Sequence, residues 1–188
     1  HGTKMLTSGE GGAILCKRKN LVDKISLIES QGRNASKKIQ FWVDEIGLKY
    51  KMSNLQAALG LAQFERADVI IEKKIKIFSW YKKYLNFAND IFLNPEPKGV
   101  KNVYWQPTVI FGKSWKITLD KRNNLLEKLN KKGIGLRPVF YPVSSFPMYK
   151  DCPDNIISQK IFKSGINLPS YFEMNEDDVK YVVDSIRK

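Results

Sequence analysis

The sequence predicts an α/β fold in two parts. Three observations carry that expectation: a short apolar run that leads into a helix near the N-terminus, a long middle stretch free of Pro and Gly, and a strand, helix, strand order beyond a proline-rich break. With 188 residues and 43% apolar content the chain is long enough to bury a core, and 12% aromatic content excludes a disordered chain.

Residues 1 to 12 are dense in Gly, Thr and Ser and read as a loop. Ala13 to Cys16 is a short apolar run of strand character. Asn20 stands where it can cap a helix carrying Leu21, Ile25 and Ile28 on one stripe, with Gly32 as its stop. Residues 33 to 47 show no period and read as irregular. Ser53 followed three residues later by Gln56 forms a capping box, and Leu55, Ala58, Leu59 and Ala62 share one stripe of the helix it opens. Nothing interrupts the chain between Leu61 and Leu93. One long helix, or two nearly continuous ones, should therefore run from about 54 to 88 and turn Ile71, Ile75, Phe78 and Leu85 towards an apolar partner.

Asn94-Pro-Glu-Pro-Lys-Gly99 cannot continue a helix or a central strand, so a domain boundary is expected just before it. Tyr104 to Phe111 reads as a strand. Asp120 is placed to cap a helix with Leu125, Leu126 and Leu129 inward, and Gly133 ends it before an extended stretch from Ile134 to Arg137. Four prolines make 138 to 153 a loop. Helices follow at about 155 to 164 and 176 to 187; Asn175 caps the second, Glu176, Asp177 and Asp178 fill its first turn, and Val179, Val182, Val183 and Ile186 form its buried stripe.

Composition narrows the function classes. The net charge of +13 could attract nucleic acid, but 26 of the 32 cations are lysines scattered along helices, as on a solvated surface. A nucleic-acid-binding protein is thus disfavoured. No apolar run approaches the roughly 20 residues of a membrane-spanning helix, and no secretory signal opens the chain. Cys16 and Cys152 show no metal-ligand spacing and His1 is the one histidine, so a metal site is not expected and a reducing, cytoplasmic setting fits.

Three clusters can carry chemistry. Lys4 lies among small residues ahead of the apolar run, a setting that can desolvate an amine until it attacks a carbonyl, although an exposed loop lysine gives the same pattern. The glycines of Ser8-Gly-Glu-Gly-Gly12 match neither a P-loop nor a dinucleotide fingerprint. Lys49 and Lys51 precede a capped helix N-terminus, where free amides, the helix dipole and a cation suit a phosphate; a simple cap with two solvated lysines reads the same. Arg137 leaves a strand into an aromatic and proline loop, free to grip a carboxylate or phosphate or to pair within its own domain.

Taken in order, these clusters resemble the sugar aminotransferases of the DegT/DnrJ/StrS family, which are fold-type I pyridoxal phosphate enzymes. His1-Gly-Thr-Lys4 through Thr7-Ser-Gly-Glu-Gly-Gly12 resembles the later part of the family's S-F-H-G-(N/T)-K-x-x-T-x-G-E-G-G motif. Ile46 to Gln63, including Met52-Ser-Asn-Leu-Gln-Ala-Ala58 and Gly60, resembles the next landmark. Gly133-Ile-Gly-Leu-Arg-Pro138, Tyr141-Pro142, Phe146-Pro-Met-Tyr149 and Leu168-Pro-Ser170 resemble those of the small domain.

The resemblance implies the C-terminal portion of that fold: residues 1–60 as the tail of the pyridoxal-phosphate-binding large domain, 61–90 as a long connecting helix, and 91–188 as a small α/β domain. It implies that Lys4 holds pyridoxal 5'-phosphate as a Schiff base and carries the proton of the reaction. It further implies that Lys49, where many members have Asn, reaches a cofactor phosphate across a homodimer with shared active sites. His1, Arg137 and Tyr141 would line the substrate side. The reaction implied is transfer of an amino group from glutamate to a nucleotide-linked keto sugar, of the perosamine type, for surface polysaccharide or O-antigen synthesis in the cytoplasm.

The family's remaining cofactor ligands precede the lysine motif. The chain is accordingly expected to be a fragment that is inactive alone. Rival readings are a sugar dehydratase on the same scaffold, which the lysine at position 4 opposes, and a non-catalytic fragment or dimerisation module.

Overall fold

The computed structural model describes residues 4–34, 36–87, 89–150 and 152–187, and the chain divides into two compact units, residues 1–67 and 68–188. None of the helices among the described residues is long and apolar enough to cross a membrane.

The first unit holds two helices, α1 (Lys19–Glu29) and α2 (Asn54–Glu65). The strand expected over Ala13–Cys16 does not form. A strand needs a neighbour to take its backbone N–H and C=O groups, and Ile14 and Leu15 instead stand 71% and 96% exposed. Helix α1 starts one residue before Asn20, with Arg18 at the N-cap; the Asn20 side chain accepts from the neighbouring Leu21 amide and caps nothing. Gly32 does stop the helix: it takes φ 72°, and its N–H donates to Leu27 O at 2.9 Å. The capping box of α2 is present, with the Ser53 hydroxyl accepting from the Gln56 amide and the Gln56 side chain accepting from the Ser53 amide.

The long helical stretch is two pieces, α2 and α3 (Ala67–Leu85), parted at Arg66. From α3 onward the chain builds a core. Strands β1 (Ile91–Leu93), β2 (Thr108–Phe111), β3 (Arg137–Pro138) and β4 (Gly165–Asn167) form one antiparallel sheet in the order β1-β2-β4-β3. Helices α4 (Leu119–Asn130), α5 (Ile156–Ser164) and α6 (Glu176–Arg187) complete the unit. Val109, Phe111 and Ile166 of the sheet join Ile77, Tyr81 and Leu85 of α3, Leu126 and Leu129 of α4, and the Val179, Val182, Val183 and Ile186 stripe of α6 in one buried cluster. That stripe is the one the sequence predicts.

Three local expectations shift. The strand begins at Thr108 rather than Tyr104, because Tyr104 adopts φ 47° and Pro107 has no N–H for a ladder. Thr118, not Asp120, caps α4, its hydroxyl accepting from Lys121 N at 3.3 Å, which leaves Asp120 in the first turn. The extended stretch after Gly133 pairs only at Arg137–Pro138, while Ile134 and Leu136 enter the core. Asn175 does cap α6 reciprocally: its side chain accepts from Asp178 N and its own amide donates to Asp178. Strands β1 and β4 escape a sequence reading, being three residues each with no period to detect.

Candidate functional site

In the first unit, local backbone pairing decides where Lys49 stands. The amide of Leu48 donates to Ile28 O at 2.6 Å, that of Gln31 to Leu48 O at 3.0 Å, and that of Tyr50 to Glu29 O at 3.1 Å; Lys49 forms an isolated bridge with Ser30. Segment 48–50 is thus laced to the end of α1. Gly32 and Gly47 let the two stretches cross: a Cβ on Gly32 would lie 1.8 Å from Glu45 O, and one on Gly47 would lie 2.0 Å from Gly32 N.

The glycine loop meets the same region. Gln56 Nε2 donates to Glu10 O at 3.3 Å, the Ser8 hydroxyl donates to Glu10 O at 2.9 Å, and a Cβ on Gly11, whose φ is 144°, would meet Met52 Cε at 2.8 Å. These contacts account for Gly11 and Gln56 as packing partners. The result is a cleft of about 980 Å³ whose lining includes Gly11, Gly12, Lys49, Lys51, Glu10 and Glu29.

Lys4 is exposed and lies at the start of the segment that supplies the cleft wall, but it is not itself part of the lining. Lys49 lines the cleft. His1 lies outside the described residues. Arg137 and Tyr141 belong to the second unit: Arg137 is exposed on the edge strand β3, and the Tyr141 ring lies 4.2 Å from the Phe162 ring and 6.3 Å from that of Phe146, centroid to centroid.

Sequence reasoning passed over the buried polar side chains of this second unit. Arg122 is 2% exposed; its guanidinium donates to Phe162 O and to Asn123 Oδ1 and lies 4.7 Å from the Phe162 ring centroid. Asn167 is 7% exposed and sits between β2 and β3. Lys74 donates to Ser170 O and Oγ, and burial pushes its amine below the ordinary range. Arg122, in the polar run Asp120 to Asn124, gives no sign of burial, and the signal for Asn167 was only its place between Ile166 and Leu168-Pro-Ser170.

Residues of the first unit have chemistry compatible with the phosphate and the aldehyde of pyridoxal phosphate. Lys49 and Lys51 face a cleft beside the N-terminus of α2, which suits a phosphate, and Gly12 opens onto it with no atom near where a Cβ would stand. The primary amine of Lys4 suits the aldehyde. Glu10 and Glu29 line the cleft as well, so it carries carboxylates beside its lysines.

A lysine-bearing loop, a glycine turn and a capped helix beside a cleft lined in part by lysines are features that a pyridoxal phosphate enzyme could use, and the comparisons give the class. Residues 1–187 match the DegT/DnrJ/EryC1/StrS aminotransferase family, and the chain belongs to it. Among characterised relatives, the GDP-perosamine synthase of Escherichia coli O157:H7 is 36% identical over 188 residues, covering 100% of this chain and 49% of the relative. That of Vibrio cholerae is 33% identical, covering 99% and 50%. Among solved structures, the Helicobacter pylori aminotransferase PseC superposes with a TM-score of 0.83 at 21% identity, covering 97% of this chain and 49% of that one. The apo-form of the putative sugar aminotransferase Spr1654 from Streptococcus pneumoniae reaches 0.85 at 17%, covering 99% and 48%. The chain spans about half the length of the curated relatives it matches.

Proposed function

We propose that this chain is the lysine-bearing, C-terminal part of a pyridoxal-phosphate-dependent aminotransferase that moves an amino group from glutamate to a nucleotide-linked keto sugar of the GDP-perosamine type. The observation that carries the proposal is the family match over residues 1–187, which includes the motif around Lys4. When bound, pyridoxal phosphate supplies the electron sink that makes amino transfer feasible.

The residues of the chain have the remaining tasks. Lys4 would hold the cofactor through its amine and would hold and move the reaction's proton at its own Nζ. Lys49 offers a cation to a phosphate, with the segment that carries it pinned to α1. A homodimer in which Lys49 serves the neighbouring subunit follows from the family resemblance. Arg137 and Tyr141 would bind and orient the substrate, Arg137 by its planar fork and Tyr141 by its ring and hydroxyl. Residues 1–60, 61–90 and 91–188 would act as large-domain tail, connector and small domain. Cytoplasmic synthesis of surface polysaccharide or O-antigen is the setting proposed.

The test is the absorbance spectrum of the purified chain with pyridoxal phosphate, before and after borohydride, followed by mapping of the modified lysine. The proposal expects a new visible band, reduction fixed on Lys4, and loss of both in Lys4→Ala. Label spread over many of the 26 lysines, with no band, would mean that the chain by itself does not build the cofactor site.

A further inference from the structure

Three side chains occupy one row across the sheet of the second unit. Thr108 of β2 is paired with Asn167 of β4, and Asn167 with Arg137 of β3. Residues directly opposite in an antiparallel sheet project from the same face, so the exposed Arg137 stands at the end of a row whose middle member is buried.

The backbone alone holds Arg137 weakly. Strand β3 is two residues long and lies at the sheet edge, Pro138 has no N–H to give, and the next amide, Val139, reaches Gly165 O only at 3.5 Å. Asn167 supplies what the ladder lacks. Its Nδ2 donates to Pro138 O at 3.2 Å, and its Oδ1 accepts from the Thr108 hydroxyl at 2.8 Å. A proline carbonyl can only accept, which fixes the orientation of the amide. Thr108 is itself held, its amide donating to Asn94 Oδ1 at 2.7 Å. The tie therefore runs from Asn94 through β2 and β4 to the edge strand.

We propose that Asn167 is a positioning residue that fixes Arg137, and the segment from Pro138 to Tyr141 that follows it, by bonding the Pro138 carbonyl to β2. Its functional meaning rests on the substrate role proposed above for Arg137 and Tyr141. A carbonyl bond from a buried side chain, with its other end tied to a central strand, sets the edge strand more firmly than a ladder that lacks one of its donors.

The test is hydrogen exchange of the full chain, followed by mass spectrometry. Asn167→Asp keeps the shape and the acceptor for Thr108 but removes the donor to Pro138. Asn167→Leu removes both bonds without adding charge, and serves where a buried carboxylate prevents folding. The inference expects at least tenfold faster exchange in peptides spanning 135–141, with β1, β2 and α6 unchanged. In Asn167→Asp, protection should return as the pH falls and the introduced carboxyl gains a proton to donate, after correction for intrinsic rates. A loss of packing alone would show no such recovery. Unchanged exchange at 135–141, or acceleration spread through α6, overturns the inference. Arg137→Lys, measured for exchange and for binding of GDP-mannose by calorimetry, separates the two readings. Unaltered exchange and binding in that variant, beside a loosened segment in Asn167→Asp, would keep the positioning and remove the substrate role.

Discussion

The two units of this chain use their apolar residues in opposite ways. In the second, sixteen buried side chains from α3, the sheet, α4 and α6 and the segments between them form a single cluster. In the first, Gly32 is the one buried residue among those described, and both helices have none. Leu55 is 85% exposed although it lies on a helical stripe that the sequence marks as inward. What holds the first unit is local: a capping box, the backbone bonds of segment 44–50 to the end of α1, and the close crossing at Gly32 and Gly47. The difference teaches that apolar periodicity reports a surface made for burial, while the burial itself requires a partner in hand.

The sharpest way to break this contrast is a pair of truncations. Leu129→Ala empties a fully buried position and should cost about 2–5 kcal/mol, whereas Leu55→Ala should change stability by no more than about 0.5 kcal/mol. Urea unfolding followed by circular dichroism measures both. Equal costs would mean that the first unit has a core of its own.

A smaller effect probes the local ties. Gly47→Ala places a Cβ 2.0 Å from Gly32 N, so the crossing must open, at about 1–3 kcal/mol, and segment 48–50 should lose its bonds to α1. Exchange of the Leu48 and Tyr50 amides would show it. Their continued protection would mean that the crossing is not what sets Lys49.

The smallest effect belongs to the core of the second unit. Tyr81 donates to Pro169 O at 2.9 Å, and burial pushes its phenol well above its ordinary value of 10.0. The folded chain then keeps a proton that the unfolded chain releases. The stability it contributes is fully present below about pH 10 and is lost as the pH rises towards the folded-state value. Tyr104 and Tyr171 are shifted the same way and add to the loss. Tyr81→Phe should cost about 1 kcal/mol at pH 8 and lessen the decline between pH 9 and 11, read from urea midpoints.

Much of this was legible in the residues. The Ser53 and Gln56 box, the stop at Gly32 and the buried stripe of α6 are local codes, in which a side chain meets its own backbone or repeats every turn. The motif around Lys4 was legible as a family resemblance. Strands β1 and β4 were not, because strands of three residues exist only through the neighbours that pair with them. Nor were Arg122 and Asn167, since a polar residue enters a core when distant segments supply its hydrogen bonds.

The sequence by itself carried the family resemblance, the order of helices, and the lysines and arginine that stand as candidates for a phosphate or carboxylate. Only the tertiary structure decided that Ala13–Cys16 stays unpaired within this chain, that Lys49 is pinned beside α1 and lines the cleft that Lys4 does not, and that Asn167 ties the strand bearing Arg137. The first turns on the lack of a neighbouring strand among the described residues, and the placing of Lys49 and the tie from Asn167 depend on hydrogen bonds between residues distant in sequence, which no local pattern of residue types encodes before the chain has folded.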